Sequence, residues 1–474
     1  MKYLLFVLFF PCAIVAQDIS FHKAYGNNEY DYGESIVQLE DSSYVIAGAT
    51  SSFGSGNTDV LLIGIDKQGN FQWQRTFGNQ QIEWAEDIIL HSNESLYTLA
   101  YTNDTDGNGY DILLIKTNQN GTVDWQERYG GDDWDFAYEL IESQDGEIVI
   151  CGETYSNTNG ENDALFMKIN AENGSLIWEQ RYGGEGHDTF FDLTEDLDGN
   201  LWFTGYSVVN DSDLVVLKTD PQGSELLNIS EQIGEHVIGR VIKTHITGEI
   251  LLGYDYWKSN SIDSVETGRW KFDTDANIVW QRFDPESDRS RYVIGITPLE
   301  DDRFVFTTRY VQDNSASVWW MYSNQGWFIS TGSSTEFGNF LDDDFTSTLA
   351  TSDGGIVHVG TTDSWGFGNK SVWVVKMNED FTAPANAEEE YVTSLLEITN
   401  SFKIYPNPSS DLLYFDLDTQ ELIDYQIFDA NGRLILKGSL DQQIDIQSLI
   451  AGKYIIRLFG KNNHLGEHRF IKVE

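Results

Sequence analysis

The chain has 474 residues, and 29 basic against 76 acidic side chains leave a formal charge of −47. That balance excludes a nucleic-acid role, because a phosphate backbone needs a cationic counterface, and it argues against docking on anionic headgroups. It does not imply disorder: 40% of the residues are hydrophobic and 14% aromatic, enough to build a core.

The first segment, 1–16, reads as a signal peptide. Lys2 supplies the positive region, Leu4 to Val15 is apolar, and Ala16-Gln17 is the expected cleavage point. The apolar run falls short of the ~20 residues a transmembrane helix needs, and no later run is longer, so no membrane-spanning segment is expected in the mature protein. Phe9-Phe10-Pro11 before Cys12 is a poor lipoprotein signal. Cleavage after Ala16 leaves Cys151 as the single thiol, so no internal disulfide can form. Cys151 sits in the apolar run Glu147 to Gly152 and reads as a small buried residue rather than a nucleophile.

A repeat of about fifty residues then dominates. Gly69-Asn-Phe-Gln-Trp73-Gln-Arg-Thr-Phe-Gly78 recurs as Gly121 to Gly130 around Trp125, and again as Gly174 to Gly183 around Trp178. Worn copies lie at Gly223, at Ile278-Val-Trp280 and at Gly326-Trp327. In the third copy four strands are legible: 136–142, 147–152, 164–169 and 175–182. Asp145-Gly146 and Asn173-Gly174 are hairpin turns that accept positive φ. Four short strands per unit describe a propeller blade. The last unit, 343–380, has only three, and Phe21 to Gly26 aligns with Trp73 to Gly78. The amino-terminal segment is therefore expected to pair with Ser371–Met377 and seal the ring, which removes unpaired edges. Residues 19–382 then hold seven blades at about 52 residues each; six or eight are the alternatives, because units five and six are worn.

Binding residues are expected on the face where the longer loops gather, since loops on a rigid scaffold carry recognition. That logic selects Trp84, with Glu83; Asp132, Asp133 and Trp134; His187 and Asp188, with Glu185; and Trp257 and Trp365, with Phe367. Aromatic rings beside carboxylates suit a glycan, and a protein ligand is the other expected partner. The competing reading makes these residues blade packing and turn caps. Trp73, Trp125 and Trp178, used in every copy, read as scaffold.

Calcium is the one cofactor the sequence brings into view. Asp104, Asp106 and Asn108 space oxygen ligands as in the first half of a calcium loop, although Ile115 stands where the closing Glu would be. No catalytic constellation is apparent: Gly-x-Ser-x-Gly, a phosphate loop and clustered metal-ligating histidines are absent. Three functions are weighed: a non-catalytic binding propeller, a polysaccharide-degrading hydrolase or lyase on the same scaffold, and a structural surface-layer protein. A raised-pKa carboxylate pair facing the central channel would favour the hydrolase.

Residues 383–400 shift in composition, with Glu388 to Glu390 in a row, and read as a linker. From 401 a small β-sandwich is expected. It carries Tyr405-Pro406-Asn407-Pro408, Asn431-Gly432-Arg433, Gly452 before Tyr454, and a final Phe470-Ile-Lys-Val473. In that order these residues resemble the type A C-terminal sorting domain of the type IX secretion system of Bacteroidota. The propeller units are more loosely similar to secreted bacterial propeller repeats. The resemblance implies passage across the outer membrane by the translocon, a sortase as second partner that cuts this domain off in or near the linker, and a destination that is secreted or on the cell surface. An attached adhesive module is the alternative for this unit.

Overall fold

The computed structural model describes residues 19–103, 109–158, 160–208, 212–258, 265–284, 290–299, 301–311, 316–333, 343–366, 369–384 and 387–391 of a first unit. Of a second unit it describes 402–405, 408–417, 423–429, 434–440, 443–459 and 464–473. The two compact units divide between Val392 and Thr393. The expected signal peptide lies outside the described residues.

The first unit is a propeller of seven blades: six are four-stranded antiparallel meanders, and the seventh has the same four-stranded antiparallel core with a fifth strand added at its edge. Blades 1 to 6 occupy 31–77, 83–129, 135–182, 188–231, 236–283 and 290–333. Blade 7 is built from Asp344–Ala350, Ile356–Thr362 and Ser371–Met377, and its fourth strand is Phe21–Gly26. The register runs from Phe21 opposite Lys376 to Tyr25 opposite Val372. The ring is closed by the strand nearest the amino terminus, as the repeat alignment requires.

Apolar side chains on both faces of a blade need partners, and only a neighbouring blade can supply them. Seven apolar clusters result, one between each adjacent pair. Blades 1 and 2 share Val45, Leu62, Leu96 and Leu113; blades 7 and 1 share Phe21, Ile46, Ile63, Val359 and Val374. Cys151 is one of these side chains, fully enclosed between blades 3 and 4.

The recurring tryptophan and glycine are two halves of one contact. Gly121 turns a hairpin of blade 2 at φ +76°, and a β-carbon there would stand 2.9 Å from the ring of Trp73 on blade 1. Gly174 meets Trp125 and Gly223 meets Trp178 in the same way. At the seam, Gly69 meets Phe21, which therefore fills the place of the tryptophan. Tyr25 repeats the pattern: its hydroxyl donates to Gly69 O at 2.6 Å, as Tyr129 donates to Gly174 O.

One difference from expectation concerns 383–400. Its described part contains a strand, Glu388–Tyr391, that pairs in parallel with Phe21–Gly26 and makes blade 7 five-stranded. Three glutamates in a row look like a solvated connector because charge runs usually are. Here pairing alternates their side chains, so each finds a donor.

The second unit is a small β-sandwich. One sheet holds Phe402–Tyr405, Leu412–Leu417 and Gln443–Asp445; the other holds Leu434–Leu440, Ile423–Asp429, Gly452–Phe459 and His464–Lys472. Leu413, Ile427, Ile444, Ile446 and Ile456 form its core. Among the described residues no helix is long and apolar enough to cross a membrane.

Candidate functional site

The inner strand of every blade carries a β-bulge at one equivalent position. The register skips a residue between Gly33 and Ser35, Ala85 and Asp87, Ala137 and Glu139, and Phe190 and Asp192. It does so again between Gly239 and Val241, Val293 and Gly295, and Phe345 and Ser347. Bulges re-aim side chains. The seven bulged residues, Glu34, Glu86, Tyr138, Phe191, Arg240, Ile294 and Thr346, all line one cavity of 820 Å³ that runs along the inner strands. A small residue opposite the bulge makes room for the displaced backbone: Gly48, Ala100, Gly152, Gly205 and Gly360 on the second strands.

The chemistry around this ring is uneven. Glu34 and Glu86 stand on adjacent blades, and among the described residues no cation pairs with either. Burial pushes the Glu34 carboxyl up to about 8, against the indole hydrogen bond from Trp84, which pulls it down. Burial, then the charges of Glu34 and Asp87, drive Glu86 well above the carboxylate range. At neutral pH the Glu34 side chain is therefore mainly protonated, able to donate as well as accept, and Glu86 is shifted in the same direction.

Deeper acids act as ties between blades. Asp87 accepts from Ser35 Oγ at 2.6 Å and from the Leu140 amide, joining blades 1, 2 and 3. Asp192 accepts the Ile242 amide at 2.9 Å and pairs with Lys243, which also reaches Glu139. Burial alone would lower the Lys243 ammonium, but Asp192 and Glu139 outweigh it and raise it. Opposite the Glu34–Glu86 arc, Arg240 Nε is 2.7 Å from Asp255 Oδ2, and its guanidinium lies 5.0 Å from the Phe191 ring centre. Asp255 is fully buried, and burial lifts it to about 6 despite Arg240.

The residues selected from sequence fall elsewhere. None of Trp84, Asp132, Asp133, Trp134, His187, Asp188, Trp257 and Trp365 lines the cavity. Trp84 and Tyr32 pack at 4.6 Å on neighbouring inner strands. Trp257 packs on Tyr292 and His236, and Trp365 lies edge-on to His22. Asp132, Asp133 and Trp134 are exposed on one link, with Trp134 against Tyr110 and Tyr155. His187 is exposed and bonded to Asn162 Oδ1. Asp188 is 1% exposed, and its carboxylate accepts the Gly184 amide at 2.8 Å. Asp31, Glu83, Asp135 and Asp343 do comparable work at the starts of their inner strands, each accepting from nearby amides or hydroxyls. This position is a cap, and sequence alone cannot separate a buried cap from an exposed ligand.

Asp104, Asp106 and Asn108 lie outside the described residues, as does Phe367. Among the described residues no cluster of His, Cys, Asp and Glu has the geometry to hold a metal ion.

In the second unit Tyr405 pairs with Tyr414, and Gly452 opens the strand in which Tyr454 is buried, its hydroxyl donating to Ile450 O at 2.8 Å. Pro408 is exposed; Pro406, Asn407 and Gly432 lie outside the described residues. Residues 403–472 match the secretion system C-terminal sorting domain, Por_Secre_tail. This unit belongs to that family. The sorting domain marks the chain for export by type IX secretion to the cell surface or beyond.

Three solved structures resemble the chain in fold at low identity. One is the extracellular domain assigned to a hybrid two-component system of B. thetaiotaomicron, with 12% identity, TM-score 0.43, and 93% of this chain aligned to 57% of that one. Another is the β-propeller domain of the Trilobed protease from Pyrococcus furiosus, with 10% identity, TM-score 0.43, and 77% of this chain aligned to 97% of that one. Puromycin hydrolase aligns over 90% of this chain and 58% of its own, with 8% identity and TM-score 0.48. The chain thus spans little more than half of the first of these relatives. No curated protein matches the chain.

Proposed function

We propose that the protein is an exported, non-catalytic binding propeller that holds a hydroxyl-rich ligand, a glycan, in its central channel. One observation carries this reading. The bulge is structurally the same in all seven blades, yet its seven side chains span six residue types, with only glutamate used twice. A position under packing selection alone repeats its residue, as Trp73, Trp125 and Trp178 do. One that varies while its geometry stays fixed is free to meet a ligand. Protonated Glu34 can match sugar hydroxyls as donor and acceptor, Glu86 beside it can accept from them, and Tyr138 and Phe191 offer ring faces to the apolar side of a pyranose. The exposed Asp132, Asp133 and Trp134 would extend the contact outside the channel.

The test is a glycan array with the full-length chain, followed by Phe191→Ala and Glu86→Ala variants. Array signal that falls at least tenfold in both variants supports the reading. Silence on the array, with a protein captured instead in pull-down, would shift the role to protein binding.

A second reading, a polysaccharide-degrading hydrolase, is favoured by the raised carboxyls of Glu34 and Glu86 on adjacent blades. Release of reducing sugar that Glu34→Gln and Glu86→Gln each abolish would establish it.

A further inference from the structure

We infer that residues 388–391 are a permanent clasp of the ring rather than the start of the connector, so that a propeller freed of its sorting domain ends at or beyond Tyr391. The strand pairs Lys23 with Glu388 through to Gly26 with Tyr391, covering the outer edge of the segment that closes the ring. Parallel pairing sends alternate side chains to opposite sides. Glu388 and Glu390 both turn to Lys23, whose Nζ lies 2.6 Å from Glu388 Oε2 and 2.9 Å from Glu390 Oε1. Glu389 turns the other way and accepts the Gly366 amide of blade 7 at 3.2 Å.

Glu390 also crosses the seam. Its Oε2 accepts the Phe71 amide of blade 1 at 2.8 Å. Four residues thereby hold the last blade, the first segment and the first blade together. Lys23 makes removal costly: its side chain is 6% exposed, and the two glutamates are its partners among the described residues. Without them a buried ammonium stands unpaired. A second anchor sits just upstream, where Pro384 O bonds His22 Nδ1 at 3.1 Å.

The clasp stands on this geometry. Only its corollary for the end of the mature chain rests on the reading that the sorting domain is cut away. Such a cut hydrolyses one peptide bond, water leaving its hydroxyl on the new carboxylate and its proton on the new amine.

The experiment uses the full-length chain with a protease site engineered either between Ala387 and Glu388 or between Tyr391 and Val392. After cleavage and removal of the downstream fragment, hydrogen exchange of amides 21–26 is read by mass spectrometry. We expect unchanged protection after the second cut and at least tenfold faster exchange after the first. Equal protection in both would overturn the clasp. An uncut Glu388→Gln/Glu390→Gln double variant checks the ion pairs: exchange should quicken at 21–26 while blades 2 to 5 keep wild-type rates, which also reports that the variant folded. Unchanged exchange at 21–26 in that variant counts against the clasp. Intact mass of the exported protein separates the corollary: a terminus at 391 or later supports it, and a terminus before 388 refutes it. A chain that is never cut refutes the release alone, and the exchange data then decide the clasp.

Discussion

The indole N–H of Trp373 donates to Nε2 of His22 at 2.7 Å, joining side chains 351 residues apart in sequence. The bond requires an unprotonated imidazole nitrogen, and burial holds His22 down at about 4, against the Pro384 carbonyl and Asp343, which raise it. His358, fully buried and stacked on Phe345, is lowered to about 3 by burial.

Both histidines make the seventh blade sensitive to acid. Their folded-state pKa values lie below the ordinary 6.5, so the unfolded chain binds more protons between the two values. Stability is then full above pH 6.5 and falls as the pH drops toward 4, by about 1.4 kcal/mol per unit for each group. A His22→Gln variant, whose amide oxygen can still accept from Trp373, should show an acid limb shallower by about one proton. Urea midpoints between pH 4 and 7 would check this, and an unchanged slope would contradict it.

Glu34 should give the opposite slope. Its folded value near 8 lies above the ordinary 4.5, so the neutral form favours the fold. That contribution is complete below pH 4.5 and is lost as the pH rises toward 8. Glu34→Gln should match the wild type at pH 5 and exceed it at pH 9 by on the order of 2 kcal/mol, after discounting for its partial exposure. Thermal melts at the two pH values read the difference directly.

The bulges can be tested through the glycine opposite one of them. A β-carbon on Gly152 would stand 2.0 Å from Phe136 O, at the bulge that presents Tyr138. Gly152→Ala should therefore cost about 2 kcal/mol, softened because blade 2 already accommodates Ala100 at the same place. Gly146 has φ +77° and nothing within 4 Å of the added carbon, so Gly146→Ala should cost only about 1 kcal/mol. Equal denaturation midpoints for the two variants would rule out the proposed role of the small residue.

Caps at the inner-strand starts should behave as structure. Asp31 is fully buried and accepts from Thr50 Oγ1 at 2.5 Å, Ser52 Oγ at 2.9 Å and the Asn27 amide at 2.8 Å. Asp31→Ala strands these donors and should lower stability by about 3 kcal/mol. Glycan signal per folded molecule should be unaffected, and calorimetry beside the array would separate the two effects.

Legibility followed repetition. Trp73, Trp125 and Trp178 stood out because each makes the same contact with the next blade's hairpin glycine, and Phe21 could be aligned because it makes that contact too. The sorting domain was readable because its motifs keep order and spacing. The channel was not: its lining changes from Glu34 and Glu86 to Tyr138, Phe191 and Arg240, and a bulge breaks the period-two alternation by which strand faces are read. Asp188 looked like a ligand because a cap and a contact residue share one side-chain chemistry. Glu388 to Glu390 looked solvated because their counter-charge, Lys23, lies at the far end of the chain.

The strand order of blade 7 has a consequence for timing. The segment nearest the amino terminus is made first and docks last, against Ser371–Met377 and then Glu388–Tyr391. Bringing such distant segments together carries a high loop-closure entropy, so completion is slow relative to the local hairpins. Until the final blade has been synthesised the polypeptide has no way to seal its ring.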